Sequence, residues 1–293
     1  MFDRHSWLPV LALVSNAGTW GLSWFPFRWM QEQGLHALWA TAFIYALAVG
    51  VLALVRREAF GQLLRTPSLW WLVLAAGTTN ATFNWAVTIG DVVRVVLLFY
   101  LMPLWAVLLA RLVLHERLTA MAALRVAMAL AGALIVLWPE GGGWPLPRSA
   151  PDWLGVAGGF SFALNNVMLR REAHRPEAAR ALAMFGGGVL VSGALAGVLT
   201  ASGAVPAPAA FAWGWALPAL ALALVFLLGN LALQYGAARL PANATAVVML
   251  SEVLFASASA VLLGAGTLTP QLLLGGALIL GASLLVVWRP RGG

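Results

Sequence analysis

The sequence predicts an all-α integral membrane protein of ten transmembrane helices, arranged as two inverted five-helix repeats. Three observations carry this reading. The chain is 62% hydrophobic and 9% charged, with a mean hydropathy of +0.89, whereas soluble domains are near a quarter charged. The apolar residues fall into ten runs, each close to the roughly 20 residues a spanning helix needs. The second half also repeats the first at a constant offset of 150 residues. Leu124, Ala127, Leu130, Leu134, Val136 and Trp138 fall on Leu274, Ala277, Leu280, Leu284, Val286 and Trp288, and the same step carries Asn16 to Asn166 and Asn80 to Asn230. Matching asparagines and terminal tryptophans in one register say more than Leu and Ala matches in so apolar a chain. Internal repeats in a membrane protein point first to a transporter.

In chain order the expected spans are Trp7–Phe27, Ala37–Val55, Leu69–Thr88, Val92–Leu114, Ala120–Trp138, Trp153–Arg170, Leu182–Ser202, Trp213–Tyr235, Asn243–Gly264 and Gln271–Trp288. The first is read as an uncleaved helix, because its apolar run continues through Gly18–Phe27. Residues 1–138 form the first unit, 139–152 an extracytoplasmic linker rich in Pro and Gly, and 153–293 the second unit. Pro103 inside the fourth span frees the Phe99 carbonyl and predicts a kink, and Pro218 predicts a similar break near the start of the eighth. Gly155 with Gly159, and Gly193 with Gly197, have the spacing of small residues at helix contacts.

Charge sets the orientation. All 17 basic residues are arginines. Fourteen of them, including Arg56, Arg57, Arg111, Arg170, Arg180 and Arg239, lie at the N-terminus, in the connections after even-numbered spans or beside them, and only Arg28, Arg94 and Arg148 lie on the other side. This positive-inside bias predicts cytoplasmic termini in a plasma membrane of the bacterial inner-membrane type. An odd number of spans per unit then inverts the second unit relative to the first.

Polar groups at membrane depth are the candidates for function. Asn16 and Trp20 lie a turn apart on the first span, and Asn80 and Asn84 share a face of the third. Asn165 and Asn166 lie on the sixth, and Asn230 and Gln234 share a face of the eighth. Such amides either bond between helices or line a polar cavity. Tyr100 can present a hydroxyl beside the Pro103 kink. Glu252, read as lying near the middle of the ninth span, is the candidate for proton coupling or for pairing with a substrate amine, against a purely structural hydrogen-bonded role. Asp91 and Arg94, three residues apart, are read as a charged pair at the outer mouth.

Enzymatic classes find no support. The four histidines fall in loops or at helix ends, there are no cysteines, and no nucleophile–base pair, metal-spaced cluster or phosphate-cradling loop is present. No catalytic residue, metal or cofactor is therefore expected. The partners are a small-molecule substrate and the lipid bilayer, not nucleic acid; proton coupling and a homodimer are both compatible with the reading.

The Pro-centred fourth span, the Glu116–Thr119 turn and the small-residue helix that follows resemble the EamA repeat of the drug/metabolite transporter superfamily. The resemblance implies ten helices, a central cavity between helices one to four and six to nine, and helices five and ten at the periphery. By analogy Asn16, Trp20, Asn80, Asn84, Tyr100, Asn166, Asn230, Gln234 and Glu252 stand at or near that cavity. The second unit departs from the pattern, with no Pro at Val253 and Gly264–Thr267 in place of the Glu-containing turn. Small multidrug exporters use a glutamate in their first helix; the first span here has none, so their cation mechanism does not carry over. The expected function is secondary active export of a small neutral or zwitterionic metabolite, such as an amino acid, by alternating access. Efflux of drugs or cations is the alternative within transport, and a channel or non-transporting scaffold the alternative outside it.

Overall fold

The computed structural model describes residues 4–89, 92–117, 119–136, 138, 147–208, 210–262 and 269–287. Among these every regular element is helical. An apolar chain in lipid has no water to satisfy its peptide groups, so each segment must bond within itself. α1 (Arg4–Glu32), α2 (Ala37–Val55) and α4 (Pro67–Ile89) follow the first three apolar runs. α7 (Ala120–Val136), α8 (Ala150–Arg171), α9 (Glu177–Ala201), α10 (Trp213–Arg239) and α13 (Pro270–Val287) follow the fifth to eighth and the tenth. The short helix α3 (Glu58–Arg65) occupies the arginine-rich link before α4 and rests Ala59 and Leu63 on the core.

The fourth and ninth apolar runs are each two helices. α5 (Val92–Phe99) stops before α6 (Met102–Val113), and α11 (Ala242–Met249) stops before α12 (Glu252–Leu262). Pro103 accounts for the first break, since it cannot donate and its ring crowds the preceding turn. The second lies 150 residues further on, without a proline. Its turn has matching bonds: Leu101 N–H to Leu98 O and Ser251 N–H to Val248 O at 3.2 and 3.0 Å, then Trp105 N–H to Leu101 O and Phe255 N–H to Ser251 O, both at 3.4 Å. Glu252 therefore opens α12 instead of sitting inside a continuous helix, and a helix N-terminus favours a carboxylate.

Pro218 behaves differently from expectation. α10 passes through it unbroken. The carbonyl it frees, Gly214 O, receives the Trp29 indole N–H at 2.9 Å, so the lost bond is replaced across helices.

Glycines set the closest approaches. A Cβ on Gly159 would strike the Phe99 carbonyl freed by Pro103, and one on Gly155 would lie 2.9 Å from Val95 O, so α8 seats its glycine face on the α5 backbone. Gly132 of α7 and Gly275 of α13 meet in the same way, a Cβ on Gly132 lying 2.6 Å from Gly275 O. The expected Gly193–Gly197 contact is absent: a Cβ on Gly193 would find only the Ala42 methyl at 3.8 Å, and one on Gly197 nothing within 4 Å. The close α4–α9 approach uses Gly77 and Gly187 instead. Asp91 and most of the linker, residues 139–146, lie outside the described residues, as does the side chain of Arg94.

Candidate functional site

A partly open cavity lies at the level of the two helix breaks. Asn16 and Trp20 of α1, Tyr45 of α2, and Thr79, Asn80 and Phe83 of α4 line it, with Phe99 at the end of α5. Phe162 and Asn165 of α8, Met184 and Phe185 of α9, Phe226, Asn230 and Leu233 of α10, Met249 of α11 and Glu252 of α12 complete most of the wall. Among the described residues, seven aromatic rings and several amides thus surround one carboxyl group, and none of the lining residues is basic.

The amides are tethered, each with capacity left over. Asn80 accepts the Tyr45 hydroxyl at 2.9 Å and donates to Ala76 O at 2.8 Å. Asn16 and Asn230 donate to the sulfurs of Met249 and Met184 at 3.5 and 3.1 Å. Sulfur is a weak acceptor, so these N–H groups are inexpensive to redirect to a ligand. Asn165 is 2% exposed and its Oδ1 has no partner. Trp20 stacks on Phe226 with centroids 4.6 Å apart, and Tyr45 meets Phe185 and Phe226 edge-on at 5.2 and 6.1 Å. Glu252 is half-buried against the cavity and close enough to act electrostatically on Tyr100.

Of the residues expected from sequence, the cavity brings together Asn16, Trp20, Asn80, Asn230 and Glu252. The others stand behind it. Asn84 donates to the Thr41 hydroxyl at 2.6 Å, an α4–α2 bond. Gln234 donates to Asn230 Oδ1 at 2.6 Å and orients it. Tyr100 is buried against Phe99, and Asn166 is fully buried with neither amide atom partnered. Asn165, not its neighbour Asn166, faces the cavity. Sequence reasoning passed over Tyr45, whose signal is a lone phenol in an otherwise apolar span, and the phenylalanines, which carry no signal in a chain this apolar.

Residues 7–138 match the EamA-like transporter family. Over that stretch the chain is similar to this family. A solved crystal structure at 19% sequence identity superposes with a TM-score of 0.75, covering 97% of this chain and 96% of the other. That likeness is one of fold. No curated protein matches the chain.

The two ends of the cavity differ. On the arginine-rich side α6 packs on α11, sealed by Ala106 with Ala163 and Ala246, and by Ala110 with Val167 and Ala242. The repeat-related pair, α5 and α12, makes no comparable contact among the described residues. Polar groups fasten the sealed side. Arg170, in the last turn of α8, donates to the Ala238 carbonyl, and the Ala242 N–H at the head of α11 donates to the Glu116 carboxylate. Burial pushes the Glu116 carboxyl above its ordinary value, while the Arg170 charge and the Ala242 amide pull it back. Both groups are missing at the repeat-related positions, Gly266 and Trp20. Glu116→Gln should therefore loosen this closure selectively. The chain has no cysteine of its own, so a single Ala246→Cys reporter can be read cleanly. Its reaction with a maleimide should quicken roughly tenfold when Glu116→Gln is added, the effect of losing one charge-assisted bond. Equal rates would show that Glu116 holds nothing closed.

Proposed function

We propose that the chain is a secondary transporter that moves a small amine-bearing metabolite with an apolar body, an amino acid in the leading reading, through the central cavity by alternating access. The observation that carries this is the lining: one carboxyl among aromatic rings and redirectable amides, with no basic group among the described residues. An ammonium can pair with Glu252 and pack on ring faces, and a carboxylate can take the amide N–H groups of Asn16 and Asn230. A doubly anionic phosphate ester would find no cation there.

In this reading α1, α2, α4, the α5–α6 pair and α7 are the five spans of unit 1–138. α8, α9, α10, the α11–α12 pair and α13 are those of unit 153–293, inverted across the linker 139–152. The arginine-rich face is cytoplasmic, the termini lie there, and export runs outward across a bacterial-type inner membrane. The break recurring at Tyr100–Leu101 and Leu250–Ser251 supports the repeat, since two near-equal halves can exchange conformations about a fixed site. Protons are the coupling ion in this scheme, with Glu252 the group that exchanges them.

That no described lining residue is basic also favours a second reading, efflux of lipophilic organic cations. Reconstituted vesicles offered labelled leucine, its decarboxylated amine, tetraethylammonium and glutamate, with and without a pH gradient, separate the two. Saturable counterflow of leucine is the expected result. Flux of the amine and tetraethylammonium without leucine would favour cation efflux, and linear, non-saturating flux of all four would indicate a channel and end the carrier reading.

A further inference from the structure

On sequence Arg180 serves only to orient the chain. In the structure it lies in the first turn of α9, where a long basic side chain would ordinarily reach for water. It is instead 2% exposed. Its Nε and Nη1 have no hydrogen-bond partner among the described residues. Glu177 and Arg239 act on it electrostatically, but Glu177 is exposed and neither satisfies those donors. Buried guanidinium donors of this strength call for an anionic acceptor.

Register indicates which acceptor. Met184, four residues further along the same face of α9, lines the cavity and receives the Asn230 amide on its sulfur. From that contact α9 leads back to Arg180 and α10 leads on to Gln234. Each step is four residues, about 6 Å, toward the arginine-rich face. Gln234 is fully buried, commits Nε2 to Asn230 and leaves Oε1 unpartnered. Unmatched donors on one helix and an unmatched acceptor on the packed neighbour thus share a level beneath the cavity floor.

We infer that Arg180 and Gln234 form a second, zwitterion-binding subsite one turn below the cavity, reached from the arginine-rich side. The guanidinium fork takes the carboxylate of an α-amino acid, and Gln234 Oε1 accepts from its ammonium. The solute engages this subsite before its amine reaches Glu252. The inference rests on the amino-acid reading of the proposed function and adds a charged recognition point for the acid group, ahead of the neutral Asn16 and Asn230 amides, which take a carboxylate and an amide carbonyl alike.

Binding of L-leucine and L-leucinamide to the purified full-length protein, followed by ligand-dependent thermal stabilisation, tests it. The amide keeps the amine and side chain and loses only the negative charge. Leucine should bind roughly tenfold more tightly than leucinamide, as one charge-assisted bond would give. Arg180→Gln should erase that difference, and Arg180→Lys, which keeps the charge without the fork, should restore part of it. Equal affinities for the two ligands in the unmodified protein, or a difference that survives Arg180→Gln, overturns the subsite. The unmodified protein alone decides the matter if Arg180→Gln does not fold. Transport is scored separately: an acid–amide difference without leucine flux removes the carrier reading and keeps the subsite, and leucine flux without the difference does the reverse.

Discussion

Glu252→Gln is expected to lower counterflow kcat/KM for an amine-bearing solute at least tenfold and to flatten its pH profile between about pH 5 and 8. The substitution keeps the shape of the side chain and removes both its charge and its proton. A hydrogen bond to a charged group contributes about 1.5–3 kcal/mol, equivalent to roughly 10- to 100-fold in affinity. Loss of the exchangeable proton removes the coupling step as well. Glu252 opens α12 and faces the cavity, so neither helix continuity nor a core contact depends on its charge. Folding should therefore be unaffected, which a monodisperse elution profile would verify. A purely structural acid would give a different outcome: reduced yield, with normal kinetics and an unchanged pH profile in the protein that survives.

How far this site could be read in advance depended on the kind of signal involved. Amides and acids in an apolar span stand out, because lipid penalises them, and Asn16, Asn80, Asn230 and Glu252 were legible for that reason. Which of two adjacent amides faces inward was not. Asn165 and Asn166 differ by about 100° around one helix, and only the packing of Gly155 and Gly159 on α5 fixes the rotation. The break before Met102 announces itself through Pro103. The one before Glu252 has no residue signature and is carried by tertiary fit, Gly21 of α1 lying so close that a Cβ there would sit 2.7 Å from Glu252 O. Arg180 shows the opposite failure. An arginine in a polar connection reads as solvated, and nothing local reveals that the packed fold buries it.

Helix contacts posed a related problem, and they yield the second large effect. Spacing singled out Gly193 and Gly197, but small residues four apart create an interface only where another backbone meets them. Gly77 and Gly187 belong to different helices, so no spacing rule joins them. A Cβ on Gly187 would strike the Val73 carbonyl, with its carbon at 2.9 Å, and a Cβ on Gly77 would strike Gly187 O and lie 2.5 Å from Val191 Cγ2. Most of these obstacles are backbone, which can yield only by moving α4 and α9 apart. Those two helices carry Asn80 and Met184 on the cavity wall. Gly187→Ala should therefore destabilise the protein by about 1–3 kcal/mol, the usual range for overpacking, and reduce transport as well. Gly197→Ala meets nothing within 4 Å and should stabilise by about 0.5–1 kcal/mol through helix propensity alone. Thermal unfolding midpoints of the two variants, measured side by side in one detergent, should move in opposite directions. A common direction would mean that α4 and α9 are not held at backbone contact, and the cavity geometry that depends on their separation would have to be redrawn.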